Sequence, residues 1–130
     1  MELKRVVITG VGALTPIGNN KQEYWSSLEK GSNGAGPITR FDPEKFKTKF
    51  ACEIKNFDIL DHLNRKEVRK MDPNTQFGMV VGEEAVKDCG INLDKIDKDS
   101  VGVIWGSGIG GLKTFQEEAI AYGLGDGTPR

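Results

Sequence analysis

Four glycines crowd the six residues 106–111, which read Gly-Ser-Gly-Ile-Gly-Gly. Gly106, Gly108 and Gly111 fit the spacing with which many enzymes bind the pyrophosphate of a dinucleotide. Such a site also needs an acidic residue at the end of a second apolar strand, about 20 residues further on. Asp126 has roughly that separation, but it lies among glycines with no strand around it. The glycine spacing alone supports a nucleotide-binding α/β enzyme as one alternative, whereas the surroundings of Asp126 argue against it.

Few side chains in the sequence could act as nucleophiles or metal ligands. The chain has two cysteines, Cys52 and Cys89, and one histidine, His62. Cys52 alternates with apolar residues on a predicted strand and Cys89 ends a predicted helix, so both are predicted to be core thiols. His62 lies in a charged run and is predicted to be solvated. Because no nucleophile with an adjacent base and no metal-ligand spacing can be assembled, the sequence predicts no catalytic residue and no metal site here.

A basic ridge is formed by Arg65, Lys66, Arg69 and Lys70. Positions 65 and 69, and positions 66 and 70, are neighbours on the surface of a helix. The ridge is either a solvated helix face or a docking surface for an acidic partner, and the charges alone leave both interpretations open.

Start and stop signals predict the helices that position these residues. The start signals are the pairs Asn20 with Glu23, Asn64 with Glu67, and Asp72 with Pro73. The first two pairs fit the capping box, and the third places a cap before a proline at the first helical position. Helices are predicted over residues 21–30, 58–63, 64–71, 73–89 and 112–121, and Gly31 and Gly90 stop two of them.

The apolar spacing of two helices predicts which side chains face a core. In the first helix these are Tyr24, Trp25 and Leu28, and in the helix over residues 73–89 they are Phe77, Val80, Val81, Ala85 and Cys89.

Apolar runs predict the strands. Residues 5–9 and 101–105 are apolar on both faces, as in strands buried in the middle of a sheet. Residues 49–55 alternate like a half-exposed strand. Helices that flank glycine-terminated strands predict a layered α/β fold, with ligands near the carboxyl ends of the strands.

Length and charge exclude several classes of protein. The chain has 130 residues and a net charge of −1, so it has no global field to attract nucleic acid. No run of 18 apolar residues suggests a membrane span, and residues 1–10 lack a signal-peptide pattern, so a cytoplasmic location is expected. Residues 123–130 are a glycine-rich loop where a parallel sheet would continue, so the chain is expected to end inside a larger domain.

Several motifs, in one order along the chain, resemble the opening of β-ketoacyl-acyl-carrier-protein synthases, above all the synthase II branch of bacterial type II fatty-acid synthesis. The motifs are Val6-Val7-Ile8-Thr9-Gly10-Val11-Gly12, Thr15-Pro16-Ile17-Gly18-Asn19, Trp25, Phe41-Asp42, Phe50-Ala51, Arg65-Lys66-Glu67, Arg69-Lys70-Met71-Asp72 and Gly106-Ser107-Gly108-Ile109-Gly110-Gly111.

The resemblance implies a thiolase-like fold of five alternating helix and sheet layers, of which residues 1–130 would be the N-terminal part. It also implies a homodimer, no cofactor, and elongation of fatty acyl chains by decarboxylating Claisen condensation. The implied substrates are acyl and malonyl thioesters, and the implied partner is the acyl carrier protein. No nucleic-acid or membrane partner is implied.

Individual residues match the family's functional positions. Gly108 and Ile109 match the mouth of the acyl-chain pocket, and Lys66, Arg69, Lys70 and Arg130 match the basic surface that meets the carrier protein. The family's nucleophilic cysteine follows a Thr-Ala pair that this sequence lacks, and His62 matches neither catalytic histidine. The catalytic residues are therefore expected beyond Arg130. A carrier-protein-binding module without catalysis is the further alternative that the ridge permits.

Overall fold

The computed structural model describes residues 3–125. These residues form four α-helices, two 3-10 helices and two short strands. The α-helices are α1 (Lys21–Glu29), α2 (Arg65–Val68), α3 (Pro73–Cys89) and α4 (Leu112–Leu124); the 3-10 helices are Ile59–Asp61 and Lys98–Ser100; the strands are β1 (Gly36–Pro37) and β2 (Phe50–Ala51). One compact unit contains residues 3–58 and 80–91, and the other contains residues 59–79 and 92–125.

The predicted helix starts are confirmed by their hydrogen bonds. Asn20 accepts from the Glu23 N–H at 2.9 Å, and the Glu23 carboxylate reaches back to the N–H of Asn19, one residue before the cap. Asn64 accepts from two backbone N–H groups of α2 and donates to Glu67 at 2.6 Å. Each cap satisfies donors that the first helical turn cannot satisfy internally, which fixes where the helix begins.

Two carboxylates on α3 organise the first unit. Glu84 accepts from the N–H of Ala13 at 2.8 Å and from the N–H of Lys21, the first residue of α1, at 2.9 Å. One turn later, Asp88 accepts from the N–H of Val11 and pairs with the Lys21 ammonium. A side chain at Gly12 would overlap the backbone of α3 at Val81, so this close approach requires glycine.

The prediction of two buried strands is wrong. Within residues 3–125 the only strands are β1 and β2, which pair antiparallel, with Gly36 opposite Ala51 and Pro37 opposite Phe50. Residues 5–9 and 101–105 are not strands and are exposed, Ile104 to 99%. The predicted strand over residues 49–55 is reduced to Phe50–Ala51. A β-branched run records strand propensity, but a strand forms only where a neighbour completes its backbone hydrogen bonds.

The predicted inner faces are confirmed for α3 and partly wrong for α1. Val80 is buried, and the other predicted residues of the α3 face are half-buried. On α1, Tyr24 is half-buried, whereas Trp25 and Leu28 are exposed, Trp25 to 64%. Trp25 instead lines an apolar groove of about 590 Å³ between α1 and residues 11–13. Helical spacing identifies an apolar stripe, but it does not show what covers that stripe.

Candidate functional site

The basic ridge lies on α2 and the turn that follows it. The side chains of Lys66, Arg69 and Lys70 are all exposed. The helix proper ends at Val68, and the backbone continues as a tight turn in which the N–H of Lys70 donates to Glu67. The ridge residues are therefore held on one short, capped element rather than on a loop.

Gln76 fastens the end of this element to α3. Its side-chain amide donates to the carbonyl of Val68 at 3.0 Å and to the carbonyl of Met71 at 2.9 Å. The residue is only 9% exposed; it gives the Met71 carbonyl a donor and adds a second donor to the Val68 carbonyl, which also accepts from the Met71 N–H at 3.3 Å. No sequence pattern predicts this role for Gln76, because a glutamine inside a helix has no distinctive spacing or neighbours.

Asp72 joins the starts of two helices. One carboxylate oxygen caps α3 by accepting from the N–H of Asn74 at 3.0 Å. The other oxygen accepts from the N–H of Thr114 at 3.1 Å and from its hydroxyl at 2.8 Å. The hydrogen bonds from the Asn74 and Thr114 amides lower the pKa of the Asp72 carboxyl, so it carries its charge at neutral pH.

The glycine turn, residues 106–111, leads directly into α4. Gly111 precedes the helix at φ +71°, a left-handed conformation that favours glycine, and it offers no side chain to cap the helix. Ile109 is 73% exposed and Gly108 is exposed beside it. A Cβ atom added at Gly110 would lie 3.1 Å from the side-chain Nδ2 of Asn74, so the turn packs against the start of α3.

The structure brings part of the ridge and the last residue of the glycine turn, but not Gly108 or Ile109, to one cleft of about 460 Å³. Arg69 and Lys70 line one side, and Gly111, Thr114 and Phe115 line the other, with Met71 and Asp72 between them. Lys66 is not among the lining residues. Arg130 and Asp126 lie outside the described residues.

Neither cysteine has the environment of an activated nucleophile. The prediction that Cys52 is a core thiol is wrong, since its side chain is exposed just after β2, a strand too short to have a buried face. Cys89 is half-buried and donates to the Val86 carbonyl at 3.1 Å. It lies at the carboxyl end of α3, and its hydrogen-bond partner is a backbone carbonyl rather than a base. His62 is exposed, as predicted.

Within the described part of the chain, two kinds of ligand site find no support. No group of three or more histidine, cysteine or acidic side chains is arranged to hold a metal ion in residues 3–125. A dinucleotide would place its pyrophosphate at the first turn of α4. Asp72 already holds the Thr114 amide there, and its negative charge would repel a phosphate.

No helix within residues 3–125 has the length and apolar character that crossing a membrane requires.

Comparison with known proteins gives a consistent family. Residues 3–126 match the family described as "Beta-ketoacyl synthase, N-terminal domain". The chain is 44% identical over 118 residues to the 3-oxoacyl-[acyl-carrier-protein] synthase 2 of Synechocystis sp., covering 91% of this chain and 28% of the relative. It is 50% identical over 113 residues to the protein of the same name from Staphylococcus aureus, covering 87% of this chain and 27% of the relative. The chain thus spans little more than a quarter of the length of these relatives.

Solved structures that are similar to this chain are also ketosynthases. One is a type II PKS acyl-carrier protein in complex with its ketosynthase bound to the hexaketide, with a TM-score of 0.73 and 26% identity over 93% of this chain and 32% of that one. Another is the ishigamide ketosynthase/chain length factor, with a TM-score of 0.63 and 34% identity over 69% of this chain and 22% of that one. The α/β fold is therefore the thiolase-like fold of ketosynthases, and the chain belongs to the beta-ketoacyl synthase family, whose N-terminal domain its residues 3–126 match.

Proposed function

We propose that this chain is the N-terminal part of a 3-oxoacyl-acyl-carrier-protein synthase, which elongates fatty acyl chains by condensing acyl and malonyl thioesters. The names of the Synechocystis and Staphylococcus aureus relatives support this assignment. The observation that carries it is the exposed basic ridge, anchored by Gln76 and facing the same cleft as the end of the glycine turn. In this proposal, a surface for an acidic carrier would lie close to the turn that borders the entrance for its acyl chain.

The proposed reaction has two stages. A cysteine thiolate first attacks the acyl thioester, takes the acyl group and releases the carrier's thiol. The malonyl thioester then loses carbon dioxide, and the resulting carbanion attacks the acyl-cysteine carbonyl and expels the cysteine thiolate. Neither Cys52 nor Cys89 suits this role, so the proposal assigns the cysteine and two histidines to a part of the synthase outside residues 1–130.

The contribution of this chain would be docking and selection. Lys66, Arg69 and Lys70, with Arg130 as a fourth member, would attract the acidic carrier protein. Exposed ion pairs are individually worth only about 0.2–1 kcal/mol, but several at one surface raise affinity and association rate together. Gly108 and Ile109 would border the acyl-chain pocket.

Charge reversal tests the docking surface in a full-length synthase that carries this chain, made if needed by exchanging it for the matching segment of the Staphylococcus aureus relative. Replacing Lys66, Arg69 and Lys70 together by Glu turns attraction into repulsion. We expect the apparent KM for carrier-bound substrates to rise about tenfold or more, since roughly 1.4 kcal/mol is a factor of ten. The increase should be greatest at low salt, and turnover of small soluble thioesters should change little.

The matched control reverses Lys45, Lys47 and Lys49, which are exposed and far from α2 in the sequence. This variant carries the same change in net charge, so it separates local docking from the overall field. Equal losses on carrier-bound and small substrates in the α2 variant would show that the ridge supports the fold or the chemistry, and the docking role would be wrong.

Ile109→Ala tests the pocket mouth in the same enzyme. Removing the branched side chain widens the entrance, so we expect relative kcat/KM to shift toward longer acyl chains, by an amount comparable to one or two methylene groups at about 0.8 kcal/mol each. Leu112→Ala, at an exposed position just after the turn, is the control. An unchanged chain-length profile in Ile109→Ala would remove this residue from the pocket.

The proposal also makes the full-length synthase a cytoplasmic homodimer. Sedimentation of the purified enzyme and fractionation of the producing cells test these two statements. A monomeric active enzyme, or one recovered with membranes, would contradict them.

A further inference from the structure

Asp72 accepts more hydrogen bonds than the capping of α3 requires. Its Oδ1 atom would suffice to cap α3 through the Asn74 amide, yet Oδ2 accepts both the amide and the hydroxyl of Thr114. Thr114 lies in the first turn of α4, whose own preceding residue, Gly111, has no side chain to offer. Asp72 therefore supplies from a distant part of the sequence the cap that the glycine turn cannot supply.

The contacts form a continuous path between the two proposed functional elements. Gln76 holds the carbonyls of Val68 and Met71 at the end of the basic ridge. Asp72 follows Met71 directly and holds α4 at Thr114, three residues after Gly111. All of these residues belong to the same compact unit. Displacement of the ends of this path relative to each other would break these hydrogen bonds.

We propose that Asp72 is a positioning residue, which fixes the glycine turn, with its proposed acyl-pocket residues, relative to the basic ridge. A carrier protein bound at the ridge would then deliver its acyl chain to an entrance whose position is already set. The inference rests on the proposed function of the ridge and the turn. The ionised state of the carboxyl supports it, because a charged acceptor makes stronger hydrogen bonds to the three donors.

Asp72→Asn is the informative substitution. Asparagine is a good N-cap, so its oxygen can still accept from the Asn74 amide and keep α3 capped. Its NH₂ group would then face the Thr114 amide donor, and that hydrogen bond is lost. Asp97→Asn is a closely matched control, since Asp97 accepts from a backbone N–H two residues on and from the Ser100 hydroxyl at 2.7 Å, but caps only the 3-10 helix Lys98–Ser100.

The experiment measures hydrogen–deuterium exchange of residues 111–116 in the full-length synthase, with and without a bacterial acyl-carrier protein bearing an octanoyl chain. In Asp72→Asn we expect about fivefold faster exchange, the effect of losing one cap of typical strength. Slowing of this exchange by the bound carrier, expected in the unsubstituted enzyme, should be lost. Carrier affinity, titrated separately, should stay within about twofold, because α2 and its cap by Asn64 are untouched. Asp97→Asn should behave as the unsubstituted enzyme.

A second pair of variants keeps the test independent of whether Asp72→Asn folds. Thr114→Val removes the hydroxyl donor and should reproduce part of the loss, and Thr114→Ser should restore the original exchange. Exchange that is unchanged in both Asp72→Asn and Thr114→Val, or carrier-induced slowing that persists in them, would overturn the positioning role. If the unsubstituted enzyme binds no carrier, the proposed docking function fails, and the exchange without carrier still decides whether Asp72 holds the turn.

Discussion

Acidic side chains in this chain repeatedly accept hydrogen bonds from residues that are distant in the sequence. Glu84 joins residues 13 and 21, Asp72 joins residues 74 and 114, and Glu53 receives both the amide and the hydroxyl of Thr39. Hydrogen bonds to an ionised acceptor are stronger than those between neutral groups. At the scale of the residue, these carboxylates hold segments of backbone together where the buried apolar core is small.

Glu53 offers a direct measurement of this effect. The Thr39 hydroxyl donates to its carboxylate at 2.6 Å, and this bond is the main cause that lowers the pKa of the Glu53 carboxyl. Thr39→Val should raise that pKa toward its ordinary value, which a titration followed by NMR of labelled glutamate would detect. The stabilising interaction is present above the ordinary pKa and is lost as the pH falls through the lowered one. An unchanged pKa in Thr39→Val would assign the shift to the backbone amides.

At the scale of the element, the helices are fixed by their ends more than by their faces. α2 has four residues, too few to be stable by itself, and it depends on Asn64 at its start and on Gln76 at its end. α4 begins just after a glycine that has no capping side chain, and Asp72 accepts from the Thr114 amide in its first turn. These two helices are thus held in part by polar side chains from outside the helices themselves.

The start of α1 provides a test of this dependence. Glu84→Gln in the full-length synthase leaves one acceptor oxygen for the two amides of Ala13 and Lys21, and it removes the charge that favours the helix dipole. We expect the amide that loses its acceptor to exchange about fivefold faster, as for the loss of a cap worth about 1 kcal/mol.

Glu117→Gln is the control for this substitution. Glu117 pairs with Lys113 at 3.7 Å on an exposed face of α4, an interaction that contributes little to stability. Exchange at residues 13 and 21 should be unaffected by it. Equal effects of the two substitutions would mean that net charge, and not the Glu84 contact, protects the start of α1.

At the scale of the whole molecule, the described residues leave much apolar surface exposed. Val80 is the one large apolar side chain that is buried in residues 3–125, whereas Val6, Ile8, Val103 and Ile104 are at least 86% exposed. A folded domain normally offsets its conformational entropy by burying such side chains. Because the relatives are more than three times as long, we infer that this surface packs against further parts of the proposed full-length synthase.

A prediction about chemistry follows at this scale. Residues 1–130 alone, incubated with an acylated carrier protein, should form no stable acyl adduct and should not condense malonyl units. The physical reason is that the Cys89 thiol donates to a backbone carbonyl and not to a base, while Cys52 is exposed after a two-residue strand. Intact-mass measurement detects the adduct, with the full-length synthase as the positive control. An acyl group on Cys52 or Cys89 would contradict the assignment of catalysis to another part of the synthase.

The sequence by itself determined the features that depend on local chemistry. Caps at Asn20, Asn64 and Asp72, and the glycines that follow α1 and α3, set the helix ends, because those groups act within a few residues of themselves. Motif order along the chain determined the family, since matches spread over residues 6–111 are far more specific than the glycine spacing alone. The basic ridge was likewise predicted and is exposed.

Only the tertiary structure decided the features that depend on partners distant in the sequence. The apolar runs at residues 5–9 and 101–105 have strand propensity, but pairing is a property of two segments, and no segment of residues 3–125 pairs with them. The exposure of Trp25 and Cys52 likewise depends on what lies opposite them. The link from Asp72 to Thr114 joins residues 42 positions apart, and no periodicity or spacing records it. Local propensity depends on neighbouring residues, whereas contact between remote segments depends on how the whole chain packs.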